Sequence, residues 1–328
     1  MFDKLFQHQP LTKEEARSVI LSISREEWNE ARIASFITVY RMRPIRVEEL
    51  EGFREALLEL RVPIDLEGRN TIDIVGTGGD GKNTFNISTT SSFVVAGAGY
   101  LVSKHGNYGA SSVSGSSNVL QKLGYRFTDD RDTLLRQLDR AGICFFHAPL
   151  FHPALKAVGP VRRALGFKTF FNMLGPLVNP ARPRNHFLGT FSLELNRLYQ
   201  YILQAEPGNF AIVYALDGYD EISLTGPFKL RTQQSEHLFH PSDLNTPTYP
   251  PEALSGGNSV DDAARIFLDV LENKATPAQR DVVIANAGMA IHTLTPEKSL
   301  EDCLAEARES LESGRARQAL DKLLEEGG

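Results

Sequence analysis

Three clusters in this 328-residue chain combine residue types and spacings that could do chemistry. The first is Gly76-Thr77-Gly78-Gly79-Asp80, directly behind the apolar run Ile72–Val75. Glycines after a strand let the backbone turn tightly and bring its N–H groups close to an anion, aided by the N-terminus of the next helix. Thr84, Asn86, Ser88 and Thr89 then supply hydroxyls and an amide where that helix should begin. These residue types are also ordinary helix caps, and the two roles can coexist.

The second cluster is Lys104-His105-Gly106-Asn107, followed by Ser111, Ser112, Ser114, Gly115, Ser116 and Ser117 ahead of a helix starting near Val119. A serine–glycine stretch alone is more often a flexible loop, but Lys104 and the helix start favour a second anion cradle. In an open parallel sheet, ligands bind at the carboxyl ends of neighbouring strands, so both loops should converge on one crevice. One ligand with several phosphates fits. The third cluster, Asp217, Asp220 and Glu221, follows the apolar run Phe210–Ala215. Alone it reads as a solvated turn; beside a polyphosphate cradle it suits magnesium, which takes a few carboxylates and leaves its other positions to substrate oxygens.

Two other phosphate motifs fit less well. Gly76, Gly78 and Gly81 satisfy G-x-G-x-x-G, but a dinucleotide fold needs an acid at the end of the next strand, where Ser103-Lys104-His105 stands. A hydrolase P-loop needs G-K-[ST], and Gly81-Lys82 is followed by Asn83. No Ser/His/Asp or Cys/His constellation for nucleophilic catalysis is evident.

The elements that must position these clusters divide in two. Thr12-Lys13-Glu14-Glu15 and Ser24-Arg25-Glu26-Glu27 carry the capping-box pattern and predict two helices, with a third over Val47–Leu60. This gives a small all-helical domain over residues 1–66, joined by a segment around 155–185. Beyond Pro63, short apolar runs alternate with helix-length segments, as in a mostly parallel central sheet flanked by helices. Strands are expected at Ile72–Val75, Tyr100–Ser103, Ile143–Phe146 and Phe210–Ala215. Helices are expected at Thr89–Ala98, Ser116–Leu123, Asp130–Ala141, Leu195–Gln204, Asp261–Glu272, Ala278–Ala290 and Leu300–Leu311. The fold class is thus a large α/β domain over residues 67–328 plus the helical one.

Composition narrows the function classes. Charged residues are 23% and hydrophobic ones 41%, as in a globular protein with a substantial core. A net charge of −6 supplies no basic field for nucleic acid. Cys144 and Cys303, without metal-type spacing, read as plain thiols. No apolar run approaches the roughly 20 residues of a membrane helix, and Met1–Pro10 lacks a signal-peptide core. A cytoplasmic protein with no membrane partner is the expectation.

Taken together, GTGGDGKNTFNIST (Gly76–Thr89), KHGN (Lys104–Asn107), SGSS (Ser114–Ser117), PVRRALG (Pro160–Gly166), FNMLGPLVNP (Phe171–Pro180) and DGYDEIS (Asp217–Ser223) resemble the anthranilate phosphoribosyltransferases. The match runs in order over nearly the whole chain. The resemblance implies transfer of a phosphoribosyl group from phosphoribosyl pyrophosphate to the amine of anthranilate, in tryptophan biosynthesis, by a homodimer formed through the helical domain. It assigns phosphoribosyl pyrophosphate to Gly76, Gly79, Asp80, Thr84, Asn86, Ser88, Thr89, Lys104 and Ser116, with catalytic roles for Lys104 and His105. Two magnesium ions would be held by Ser88, Asp220 and Glu221. Anthranilate would meet Gly76, Asn107, His152, Arg162 and Gly175, with Arg162 pairing its carboxylate, a task suited to a planar guanidinium. On local pattern alone, Arg162 beside Arg163 reads as a solvated helix face and His152 before Pro153 as a turn cap. Tyr108, Asn118 and Tyr219 depart from the family's usual basic residue, aspartate and leucine. A pyrimidine nucleoside phosphorylase and a catalytically silent nucleic-acid-binding relative are the rival readings.

Overall fold

A computed structural model of the chain describes residues 1–109 and 113–327, so Ser111 and Ser112 lie outside the described residues. Four helices come first: α1 (Phe2–Phe6), α2 (Lys13–Ser24), α3 (Glu30–Met42) and α4 (Val47–Leu60). Then follow β1 (Thr71–Gly76), α5 (Ile87–Gly97), β2 (Leu101–Gly106), α6 (Ser116–Lys122), α7 (Arg131–Ala141) and β3 (Ile143–His147). After α8 (Ala148–Phe151) and α9 (Val158–Leu165) come β4 (Asn185–Gly189), α10 (Leu193–Leu203), β5 (Phe210–Ala215), β6 (Phe228–Thr232) and β7 (Glu236–Phe239). Four helices close the chain: α11 (Val260–Leu271), α12 (Pro277–Leu294), α13 (Leu300–Glu312) and α14 (Arg315–Glu326). Two compact units result, one of residues 1–64 and 148–182, the other of residues 65–147 and 183–328.

In the helical unit, the Thr12 capping box forms as expected, with the Thr12 hydroxyl accepting from Glu15 N–H at 3.2 Å and the Glu15 carboxylate accepting from Thr12 N–H at 2.8 Å. The second expected box does not form. Ser24 is the last residue of α2 and donates its hydroxyl back to the Leu21 carbonyl at 2.7 Å. Asn29 opens α3 instead, accepting from Arg32 N–H at 2.9 Å. Rings of Phe36, Tyr40, Phe53 and Phe170 pack with centroids 4.6 to 5.8 Å apart, within the range of favourable aromatic pairs. Beneath them the buried Glu49 carboxylate accepts from Leu11 N–H at 2.9 Å, the Tyr40 hydroxyl at 3.0 Å and the Arg43 guanidinium, which leaves a costly buried charge well satisfied.

The α/β unit is built on a seven-stranded sheet in the order β3-β2-β1-β4-β5-β6-β7. The first five strands in that order pair in parallel; β6 and β7 extend the sheet antiparallel. Strands β4, β6 and β7 and helix α14 were not anticipated. β4 is central, paired along Ile72–Gly76 on one side and to β5 on the other. Its five residues include Asn185 and His186 and follow Pro183, so neither length nor hydrophobicity marks it as an inner strand. β2 extends beyond Ser103 to Gly106, which takes Lys104 and His105 into the strand and buries both. α5 and α12 form the middle of the core on one side; α5 is buried almost throughout, and its Thr90 and Ser92 hydroxyls donate to the Asn86 and Ser88 carbonyls at 2.8 Å each. Among the described residues no helix is long and apolar enough to cross a membrane. Both cysteines are buried free thiols.

Candidate active site

The glycine loop leaves β1 through Thr77, and Gly78, Gly79 and Gly81 all take positive φ (65°, 74° and 79°), a region that strains other residues. α5 begins six residues beyond Gly81, at Ile87. A dinucleotide fold brings its third glycine against the helix start, so this wider loop removes that reading. Asp80 shapes the loop by accepting from Lys82 N–H at 2.9 Å.

The chain after β5 crosses back over the end of β4 to reach this loop, although β5 is not β1's neighbour. Glycines make the crossing possible. A Cβ on Gly189 would stand 1.4 Å from the Asp220 carbonyl oxygen, and one on Gly76 would stand 2.5 Å from Asp220 Oδ2. The Asp220 carboxylate thereby accepts from Gly78 N–H at 2.6 Å and from the Thr77 hydroxyl at 3.3 Å. Glu221 accepts from Ser88 N–H at 2.8 Å, in the first turn of α5. From α12, Asn286 holds both backbone groups of Ile222, accepting from its N–H at 3.1 Å and donating to its carbonyl at 2.8 Å.

Asp220 and Glu221 are thus brought together at the glycine loop with Gly76, Gly78 and Ser88. Burial raises both carboxyls well above the ordinary range, Asp220 further through the charge of Asp80 and Glu221 through that of Asp220. Two buried, mutually repelling acids with hard oxygen donors are what a divalent cation relieves. Asp217 does not join them; its carboxylate takes the Thr225 hydroxyl. Among the described residues no three His, Cys, Asp or Glu side chains gather as a metal cage.

Lys104 is buried beneath the loop. Its ammonium donates to the Ile74 carbonyl at 2.5 Å, and burial lowers its pKa to about 8, against the upward pull of Asp73 and Glu221. His105 is buried in the same strand, its N–H donating to Asp73 at 3.2 Å. Where β2 ends, a Cβ on Gly106 would stand 2.2 Å from Ser116 Oγ, so α6 closes directly on this strand end. Asn107 accepts through its carbonyl from Ser117 N–H at 3.1 Å and from the Ser116 hydroxyl at 3.4 Å. Asn118 clamps the same loop, its side-chain oxygen accepting from the N–H groups of Gly109 and Gly115 at 2.9 Å each. An aspartate would present the same oxygen, so the departure at 118 leaves the clamp intact. Asn86 reaches across to the Ser114 carbonyl at 3.1 Å while its Oδ1 is buried without a partner among the described residues. Thr84 bridges to Ser255, and Thr89 is buried in the first turn of α5.

The remaining candidates lie in the helical unit. On α9, Arg163 is exposed, whereas Arg162 turns toward Asn172, donating to its side-chain oxygen at 3.3 Å with the guanidinium 5.6 Å from the Phe171 ring centre. Burial lowers its pKa, and no carboxylate pairs with it among the described residues. His152 is buried, bonded through Nε2 to the Val178 carbonyl at 2.8 Å, with burial lowering its pKa to about 4. It is a neutral ring tying the segment after α8 to the FNMLGPLVNP stretch. Gly175 opens the short 3₁₀ turn Gly175–Leu177 in that stretch.

Sequence reasoning missed Gly189 and Asn286, both of which position the acidic loop. Gly189 ended a strand that was not recognised. Asn286 did leave a signal, a polar amide in the middle of the otherwise apolar run Val282–Ile291.

The helical bundle domain of the glycosyl transferase family matches residues 1–60, and the a/b domain of that family matches residues 68–317. Curated relatives include the anthranilate phosphoribosyltransferases of Cytophaga hutchinsonii, 57% identical over 98% of both chains, and of Bacteroides fragilis, 56% identical over 99% of this chain and 98% of the relative. The crystal structure of anthranilate phosphoribosyltransferase from Thermus thermophilus is similar with a TM-score of 0.91 at 32% identity, covering 99% of this chain and 98% of that one. The enzyme from Saccharomyces cerevisiae in complex with PRPP and Mg is similar with a TM-score of 0.89 at 26% identity, covering 99% and 96%. The chain belongs to the anthranilate phosphoribosyltransferase family.

Proposed function

We propose that this chain transfers the 5-phosphoribosyl group of phosphoribosyl pyrophosphate to the amine of anthranilate, releasing pyrophosphate. The observation that carries the reading is the seating of Asp220 and Glu221 against the N–H groups of Gly78 and Ser88, which puts cation ligands and anion donors in one place. Magnesium fits this oxygen-only set, and we assign two ions to Asp220, Glu221 and Ser88; when bound, they offset the charge that develops on the leaving pyrophosphate. The N–H groups of the glycine loop and of the α6 start orient the phosphates. Lys104 supplies a fixed positive charge beneath them, stronger in effect for being out of water.

Anthranilate's aromatic amine is neutral at pH 7 and needs positioning more than deprotonation, so effective concentration supplies much of the rate. Arg162, unpaired with any acid among the described residues, takes the acceptor's carboxylate. Asn107, His152, Gly175 and Gly76 complete the acceptor contacts. His152 acts as a neutral, fixed ring. His105 acts from beside Lys104, its backbone set by Asp73. The amine attacks C1 from the face opposite pyrophosphate, and its proton passes to the acceptor's own carboxylate or to water.

A homodimer through the helical unit and a cytoplasmic location belong to the same proposal; Phe6 and Met42, 60% and 72% exposed on that unit, are apolar groups for such a contact. Incubation of purified protein with anthranilate, phosphoribosyl pyrophosphate and magnesium should yield a product with the mass of N-(5-phosphoribosyl)anthranilate and one equivalent of pyrophosphate. Absence of that product would remove the reading.

A further inference from the structure

The glycine loop contains one lysine, Lys82, whose side chain has no part in shaping it. The backbone N–H of Lys82 makes the tie to Asp80, and the loop's turns are set by its glycines. Among the described residues the ammonium makes no ion pair; it lies 4.6 Å from the centre of the Tyr219 ring. Tyr219 is 4% exposed and immediately precedes Asp220, at a position where the family resemblance leads one to expect leucine. Gly218, at φ 96°, keeps this corner open, with its missing Cβ 3.9 Å from Lys82 Cε. Lys82 itself is half-buried, and an ammonium that keeps water on its outer side is held only weakly by an aromatic face.

The charge requirements of the reaction give this placement a consequence. Lys104, the lysine within β2, is buried and committed to the Ile74 carbonyl. Lys82 is half-buried, and its four-carbon stem lets the ammonium swing while the backbone stays fixed. We propose that Lys82 is a further substrate-contacting residue: its ammonium rests on Tyr219 in the ligand-free chain and transfers to the pyrophosphate oxygens when the donor binds. As the bond between C1 and oxygen breaks, the electron pair goes to pyrophosphate, and Lys82 stabilises it by hydrogen bonding with no proton transferred. Tyr219 is then a resting place that competes mildly with the substrate. The proposal rests on the phosphoribosyl pyrophosphate reading.

The test is calorimetric titration with inorganic pyrophosphate at saturating magnesium, for the wild type, Lys82→Met, Lys82→Arg, Tyr219→Leu and the double variant Lys82→Met/Tyr219→Leu, each checked for an unchanged thermal transition. Lys82→Met should weaken binding about tenfold or more, the size of a lost charge-assisted contact, and Lys82→Arg should restore most of it. Tyr219→Leu should tighten binding by about 2- to 5-fold, the worth of one exposed cation–π contact, and should have no effect once Lys82 is Met. Equal affinity of wild type and Lys82→Met would overturn the proposal. So would Tyr219→Leu weakening binding as much as Lys82→Met, because the pair would then be a latch on the loop. Failure of the wild type to bind magnesium pyrophosphate at all would instead strike the donor-site reading itself.

Discussion

A side chain on Gly189 and the present course of Asp220 exclude each other, because a Cβ on residue 189 would stand 1.4 Å from the Asp220 carbonyl oxygen. The acidic loop reaches the glycine loop only across this bare strand end. Gly189→Ala should therefore push the loop away, lowering turnover by roughly 100-fold while costing about 1–3 kcal/mol of stability as an overpacked position does. Steady-state kinetics with chemical denaturation checks this, and a fully active Gly189→Ala would show that Asp220 does its work from elsewhere.

Lys104 is expected to trade stability for function. Burial depresses its pKa to about 8, which means that the ammonium is held against a desolvation penalty. Lys104→Met keeps the volume and removes the penalty, so its melting temperature should equal or exceed that of the wild type while turnover falls about 100-fold. A variant that melts lower would mean that the bond to Ile74 matters more than the burial.

Arg162 should act on one substrate only. Arg162→Ala is expected to raise the Michaelis constant for anthranilate at least about tenfold, leave that for phosphoribosyl pyrophosphate within about twofold, and be poorly rescued by lysine, which lacks the planar fork. An unchanged anthranilate constant would relocate the acceptor's carboxylate.

The helical unit should be acid-sensitive through Glu49. Burial alone raises its pKa, but Arg43 and the N–H groups of Leu11 and Arg46 outweigh that and leave it below the ordinary value. A depressed carboxyl stabilises fully above its unfolded pKa of about 4.3, and that stability drains away as pH falls through the lower folded value. Glu49→Ala leaves Arg43 buried without its partner and should cost about 3–5 kcal/mol at neutral pH while flattening the acid limb of a stability profile. A steep acid limb in the variant would point to other groups.

Much of this site was legible because its chemistry depends on local pattern. Glycines with positive φ, hydroxyls at a helix start and adjacent acids are visible in sequence, and so was the parallel pairing of β1 with β2. The topology was harder to read. β4 is short, polar at its start and preceded by proline, so the strand separating β1 from β5 left no periodic signal, and Gly189 was hidden with it. Lys104 and His105 were placed at the strand's end, just past Ser103, because charged residues are seldom buried; only β2's full length shows them inside the sheet. Ser24 mimicked a cap because the four-residue pattern does not reveal whether a helix is beginning or ending. Asn118, which departs from the family's usual aspartate, serves as an acceptor, a role its oxygen shares with aspartate.

The most direct test follows anthranilate fluorescence in real time as magnesium is varied, for the wild type and Asp220→Asn side by side. The wild-type signal should fall only when phosphoribosyl pyrophosphate and magnesium are both present, and Asp220→Asn should need more magnesium and turn over about 100-fold more slowly. Loss of anthranilate at the same rate without magnesium, or equal magnesium dependence in the two proteins, would contradict the assignment of Asp220 and Glu221 as the metal-holding pair of this site.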